Sequence, residues 1–293
     1  TVRKAVNILI SHHDMLRGTF TEEGIEILPT IDREVYSFQE ITIEDNEEAK
    51  EQLKETRLTD DKLMKVVFCK TGKENLVSFT VHHFLIDLIS WEVLIKDFNT
   101  ITKQISNNEE ISLPAKTASF KMWSEELAKY SETMAEENKA YWNNITERLN
   151  NANTLATEEE NEAEEYSITL SKEISEKLIN EVNNTYGTRT NEVLLTAVGL
   201  AAGKIAEGTV GIMVESHGRT ELHKPIATER TVGWFTSCYP VVVNNNDNVA
   251  EELINTKETM RRIPKNGIEY LLLTEGFHEK ADILFNFYKT SLA

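Results

Sequence analysis

The chain has 293 residues, 40% of them apolar, with 12 glycines and 5 prolines, a composition that fits one large or two medium packed domains and excludes a disordered chain. Its 31 lysines and arginines face 49 aspartates and glutamates, a formal charge of −18 that repels phosphate backbones and argues against a nucleic-acid partner. No apolar run reaches the roughly 18 residues of a membrane span, and TVRKAVNILI lacks the features of a signal peptide, so the expected location is cytoplasmic.

The chain opens with VRKAVNILISHHDMLRGTF, in which Val2, Ala5, Val6, Leu9 and His13 share helical spacing. Gly18 reads as the stop, Phe20 as the start of an extended stretch, and His12 and His13 as a structural pair closing the helix near its exposed carbonyls. Cys69 lies in an apolar run, as does Cys238, and both read as buried free thiols. In NLVSFTVHHF, Leu76, Ser78 and Thr80 alternate with Val77, Phe79 and Val81, which predicts a strand. Ser90 is expected to cap a helix that presents Trp91, Leu94, Ile95, Phe98 and Ile101 on one face. A second amphipathic helix is expected from near Thr117, burying Phe120, Trp123, Leu127 and Tyr130 as ordinary core.

Six glutamates between Glu158 and Glu165 form a like-charge run that should stay solvated. The run divides the expected organisation into residues 1–157, an acidic linker at 158–165, and residues 166–293. After it come a predicted short strand and a helix capped by Ser171 and stopped at Gly187. An apolar helix from Asn191, strands in TVGIMVES and CYPVVV, and a helix in EELINTKETMRRI complete the series. Strands and helices alternate in both halves, so the fold class is α/β.

Three stretches carry chemistry. In VHHFLIDLISW, strand alternation would send His82 and His83 to opposite faces, so one imidazole could line a cleft while Asp87 supports the turn. MVESHGRTE leaves a strand and turns through Gly218, bringing Glu215, His217 and Arg219 together, either as a general base at a cleft edge or as a polar loop. RTVGWFTSCYP holds Trp234 and Phe235, which suit a pocket wall or a core equally. There is no nucleophile elbow, P-loop, dinucleotide fingerprint, CxxC or HExxH, so no metal or covalent nucleophile is expected. The pair left is a histidine from one half and a glutamate from the other, a two-base arrangement for proton transfer.

Several segments in order resemble the epimerization domain of nonribosomal peptide synthetases, within the condensation-domain superfamily. HHDMLRGTF resembles an early structural motif, HHFLIDLISW the HHxxxDxxSW signature, and ESHGRTE the EGHGRE motif. RTVGWFTSCYPV matches RTVGWFTSxYPV, RRIPKNGIEY is similar to a motif ending in GYG, and FNFY to FNYLG. The resemblance implies two chloramphenicol-acetyltransferase-like subdomains in a V, with the active site in the tunnel between them. It implies inversion of Cα, L to D, in an aminoacyl or peptidyl thioester delivered on the 4'-phosphopantetheine of a peptidyl carrier protein, beside neighbouring synthetase domains in antibiotic biosynthesis. No cofactor bound by the domain itself is implied. By matched position His83 and Glu215 would be catalytic, with His82, Asp87, Arg219, Asn286 and Tyr288 supporting and Trp234, Phe235, Ser237 and Tyr239 along the pocket wall.

The sequence departs from the family at several points. Leu88 stands where the family has glycine, Ser216 and Thr220 replace a glycine and a glutamate, Glu269-Tyr270-Leu271 replaces GYG, and Phe287 takes the place of the motif tyrosine, with Tyr288 beside it. These changes bear on activity more than on fold. Both subdomains are expected to be truncated, the first at its start and the second at its end. The alternatives are an amide-forming condensation domain and a degenerate domain that only docks carrier proteins.

Overall fold

Helix α1, Val2–His12, follows from its apolar spacing: Ala5, Val6, Leu9 and Ile10 are buried on one face. In this computed structural model, residues 1–22, 24–29, 35–58, 62–155, 164–274, 276 and 278–288 are described. Gly18 does not stop α1. A 3-10 turn, Asp14–Arg17, intervenes, and Gly18 opens strand β1, Gly18–Thr21, which pairs antiparallel with β2, Gly24–Ile27.

Two compact units emerge, one formed by Thr1–Ala128 with Glu221–Phe235, the other by Lys129–Thr220 with the stretch that begins at Thr236. The units therefore do not follow the division expected at the acidic run. Residues 129–155 pack with the second unit and 221–235 return to the first, because each segment's apolar side chains complete the core of that unit. Of the expected linker, residues 158–163 lie outside the described residues.

In the first unit, β3 (Ser37–Thr42) runs parallel to β4 (Met64–Lys70), which pairs antiparallel with β5 (Asn75–Val81). Helix α2, Asn46–Lys54, is capped by the Asp45 carboxylate, and α3 spans Leu88–Ser106. The core joins α1, this sheet and α3 through Ala5, Leu9, Val66, Leu85, Leu94 and Ile101. Ser90 is not the cap expected for α3. Asp87 is, its Oδ1 accepting the Ser90 amide at 2.7 Å, since an aspartate one turn earlier reaches that donor and starts the helix sooner.

Helix α4 spans Phe120–Glu132, three residues later than expected from Thr117. In the second unit, α5 spans Glu136–Asn150, and no strand forms over residues 166–170, where Tyr166 and Ile168 are exposed. Their alternation resembles a strand, but no described neighbour pairs with them. Helix α6, Lys172–Glu176, is capped by Ser171 and continues through a π-helical stretch, Lys177–Val182, into α7, Asn183–Tyr186. Helix α8, Thr190–Ile205, buries Leu195 and Ala202 against β6, Val210–Ser216, and β7, Ser237–Val243. Helix α9, Val249–Arg262, and the one-turn α10, Tyr270–Leu273, precede β8, Ile283–Phe285. The central strand β6 is antiparallel to β7 and parallel to β8. Each unit thus has a three-stranded sheet whose middle strand has one parallel and one antiparallel neighbour, with helices packed on it.

Cys69 and Cys238 are buried free thiols, and burial followed by the Glu215 charge pushes the Cys238 thiol up to about 11. Among the described residues no helix is long and apolar enough to cross a membrane.

Candidate active site

Strand β5 ends at Val81, so His82 and His83 lie beyond it, in a turn that becomes a 3-10 helix at His83–Leu85. Alternation across a strand does not separate the two rings; the turn does. His82 Nδ1 accepts the Phe84 amide at 3.3 Å, and its ring lies 5.2 Å from Phe20 and 5.0 Å from Phe84. His83 is exposed, its ring centroid 5.2 Å from that of Trp234 in an edge-on arrangement, and Trp234 stacks on Phe84. Trp234 is itself 40% exposed, so this aromatic surface meets solvent beside the imidazole.

Asp87 joins two sequence motifs within the first unit. Its Oδ1 accepts Ser90 Oγ–H at 2.6 Å, its Oδ2 accepts the Phe235 amide at 3.3 Å, and Ser90 Oγ accepts the Gly233 amide at 3.1 Å. The aspartate and serine of HHxxxDxxSW therefore hold the backbone of the Gly-Trp-Phe loop beside His83. Phe235 is fully buried between Phe120 and Trp123 and belongs to the core of this unit. Leu88, the first residue of α3, is 40% exposed.

In the second unit Glu215 lies inside β6, within the strand expected in TVGIMVES, opposite Cys238. Parallel pairing of Val214 with Phe285 sets Asn286, just past β8, beside it. The Asn286 amide donates to Glu215 Oε2 and also meets the Tyr288 hydroxyl. Burial first, then the Glu215 charge, raises the pKa of that phenol, so it stays protonated at neutral pH. Gly218 has φ 63°, and the turn it permits lets the Arg219 amide donate to His217 Nδ1 at 3.0 Å. Ser237 and Tyr239 are buried. Ser237 Oγ donates to the Asn266 carbonyl at 3.0 Å, and burial pushes the Tyr239 phenol up to about 12. Gly267, at φ 77°, lies so close to the Tyr239 ring that a Cβ there would sit 1.7 Å from it.

Sequence reasoning missed two polar networks. In the first unit His13 Nε2 lies 2.9 Å from Asp97 Oδ2, and Arg230 Nη2 donates to both Asp97 oxygens at 2.6 and 2.7 Å. His13 therefore pairs with a carboxylate, not with helix carbonyls. The available signal was Asp97 itself, an acid on the apolar face between Leu94 and Ile101. His12 joins His13 and Asp97 as a group with ligand atoms within 4.8 Å, a cluster that no local spacing announces. In the second unit the fully buried Glu269 accepts Asn138 Nδ2 at 2.7 Å, Trp142 Nε1 at 3.0 Å and the Tyr130 hydroxyl.

Residues 1–289 match the family model described as the condensation domain. Gramicidin S synthase 1 of Brevibacillus brevis is 32% identical over 316 residues, covering 97% of this chain and 29% of that protein. The chain spans less than a third of the length of the curated relatives it matches first. The crystal structure of the epimerization domain from the third module of tyrocidine synthetase B superposes with a TM-score of 0.80 at 30% identity, covering 97% of this chain and 72% of that one. The first condensation domain of the calcium-dependent antibiotic synthetase gives 0.71 at 17% identity, covering 91% and 66%, and shares the two-subdomain fold.

Proposed function

This chain belongs to the condensation-domain family, and on that premise we propose that it is an epimerization domain acting on a carrier-bound thioester. The observation that carries the reading is the 30% identity, over 97% of the chain, to an epimerization domain, against 17% to a condensation domain of the same fold. The substrate is an aminoacyl or peptidyl thioester on the 4'-phosphopantetheine arm of a peptidyl carrier protein, supplied beside neighbouring synthetase domains.

The reaction breaks the Cα–H bond, and its electron pair delocalises into the thioester carbonyl as an enolate. A proton then forms the new Cα–H bond on the opposite face. Glu215 and His83 are the two proton carriers, one removing and the other returning. The adjacent thioester acidifies Cα, so the chemistry calls for no cofactor. Asn286 supports the role of Glu215, because its amide orients the carboxylate without neutralising it. The Asp87–Ser90 bonds to the Gly-Trp-Phe loop support that of His83 by fixing Trp234 against its ring. Enolate charge needs nearby donors, and the Asn286 amide, the protonated Tyr288 phenol and Arg219 are the groups available.

The test is solvent-deuterium exchange at Cα of a loaded carrier protein. Exchange with equilibration of the two stereoisomers is expected. His83→Ala and Glu215→Ala should each lower its rate by about 10²–10⁴-fold, the usual contribution of a positioned acid or base, with carrier binding retained. Formation of a new amide when donor and acceptor carriers are offered together would establish condensation instead. Unchanged stereochemistry with intact carrier binding would leave a docking domain.

A further inference from the structure

We propose that the first unit holds a second binding site, a cationic cavity that takes the phosphate group of an organic phosphate monoester. A cavity of about 290 Å³ is lined by Arg17, Lys116, Lys121 and Arg230, with His12 and His13 among them and Asp14 as the one carboxylate in its wall among the described residues. The size is near the lower end for small-molecule sites. Among the described lining residues, four cations against one carboxylate stand out in a chain of net charge −18, and none of these residues takes part in the proposed epimerization.

The charges are only partly compensated. Asp14 Oδ1 is shared by Arg17 at 2.8 Å and Lys116 at 2.7 Å. Asp97, behind the wall, serves Arg230 and His13. Among the described residues Lys121 pairs with Glu125, exposed and 3.9 Å away. Arg17 is buried and held by the Leu28, Ile10 and Ser11 carbonyls, so its charge is fixed in place. The Nε–H of Arg230 is buried with no acceptor among the described residues, a cost that a small rotation of the guanidinium toward a bound anion would remove.

The same charges decide against a cation at His12, His13 and Asp97. Both Asp97 oxygens already accept from Arg230, and the Lys116 and Arg230 charges both disfavour positive charge at His12. A dianion matches the excess better than a single carboxylate would. Ile27, Leu28 and Phe120 form an apolar part of the wall for the organic portion.

Inorganic phosphate is the probe, titrated at constant ionic strength near neutral pH, with the backbone amides of Lys116, Arg230 and Thr231 followed by 1H–15N NMR. Saturable shifts confined to these amides are expected, with acetate at equal concentration leaving them in place. The double variant Lys116→Gln/Lys121→Gln changes only exposed side chains and should weaken the apparent Kd about tenfold while preserving the spectrum elsewhere. Non-saturating shifts, an equal response to acetate, or unchanged affinity in the double variant would each overturn the site. Because epimerization is read separately by Cα exchange, either proposal can fail without the other.

Discussion

A carboxylate with no solvent contact must be held by donors, and among the described residues Glu269 accepts from Tyr130, Asn138 and Trp142. Burial first, then the Glu269 hydrogen bond, raises the Tyr130 pKa, which keeps that hydroxyl a donor. The departure from GYG at this position thus builds a buried anchor tying α4 and α5 to the start of α10. Glu269→Ala would strand the donors and should cost about 1–3 kcal/mol. Glu269→Gln keeps one acceptor oxygen and should cost less; urea unfolding of the second unit measures both. Leu88 is a different kind of departure. Its side chain is partly exposed at the first turn of α3, where its bulk changes the surface and not the core.

Among the elements, α3 shows how a cap can also position a site. The Asp87 carboxylate satisfies the Ser90 amide, as an N-cap should, and with its other oxygen reaches the Phe235 amide 148 residues away. Asp87→Ala should therefore cost the 0.5–2 kcal/mol typical of a lost cap and also release the loop that carries Trp234. Hydrogen exchange separates the two effects, since faster exchange at the Gly233 and Phe235 amides is expected from the second alone. If those amides stay protected in the variant, Asp87 is a cap and nothing more. The turn at Lys265–Gly267 is constrained in another way: φ is 46° at Lys265 and 51° at Asn266 before Gly267, and the Tyr239 ring occupies the space that a side chain at Gly267 would need.

At the scale of the whole molecule, acid should act on the first unit in two stages. Burial, followed by the neighbouring His13, lowers the His12 pKa. The unfolded chain then binds its proton first, and the associated stability is present above about 6.5 and lost as pH falls through the depressed value. Burial alone would raise Asp97 and Asp14, but hydrogen bonds from His13 and Arg230 to the former, and from Lys116 and Arg17 to the latter, bring both below the usual carboxylate range. Their stability is present above about 4 and is lost as pH falls further. Thermal melts from neutral to acid pH should show both declines. His12→Gln should remove the first, and Asp97→Asn should weaken the second while lowering the neutral plateau. A first-unit transition that ignores pH in both variants would contradict this account.

Much of the architecture was legible without coordinates, because helices and strands depend on neighbours a few residues apart. The spacing of Ala5, Val6 and Leu9 marks α1, the alternation through Val77, Phe79 and Val81 marks β5, and Ser171 and Gly187 bracket the helical stretch between them. The motifs also named His83 and Glu215. Local pattern could not show whether Tyr166 and Ile168 find a strand partner, nor that Asp87 rather than Ser90 caps α3. Still less could it bring Asn286 to Glu215 across 71 residues, or Arg230 to Asp97 across 133. Those contacts exist only after sheet register and helix packing have set distant segments side by side. The sequence by itself determined most of the elements and named the candidate reacting groups; the tertiary structure decided which charges meet, because sheet register and helix packing, not local spacing, bring them together.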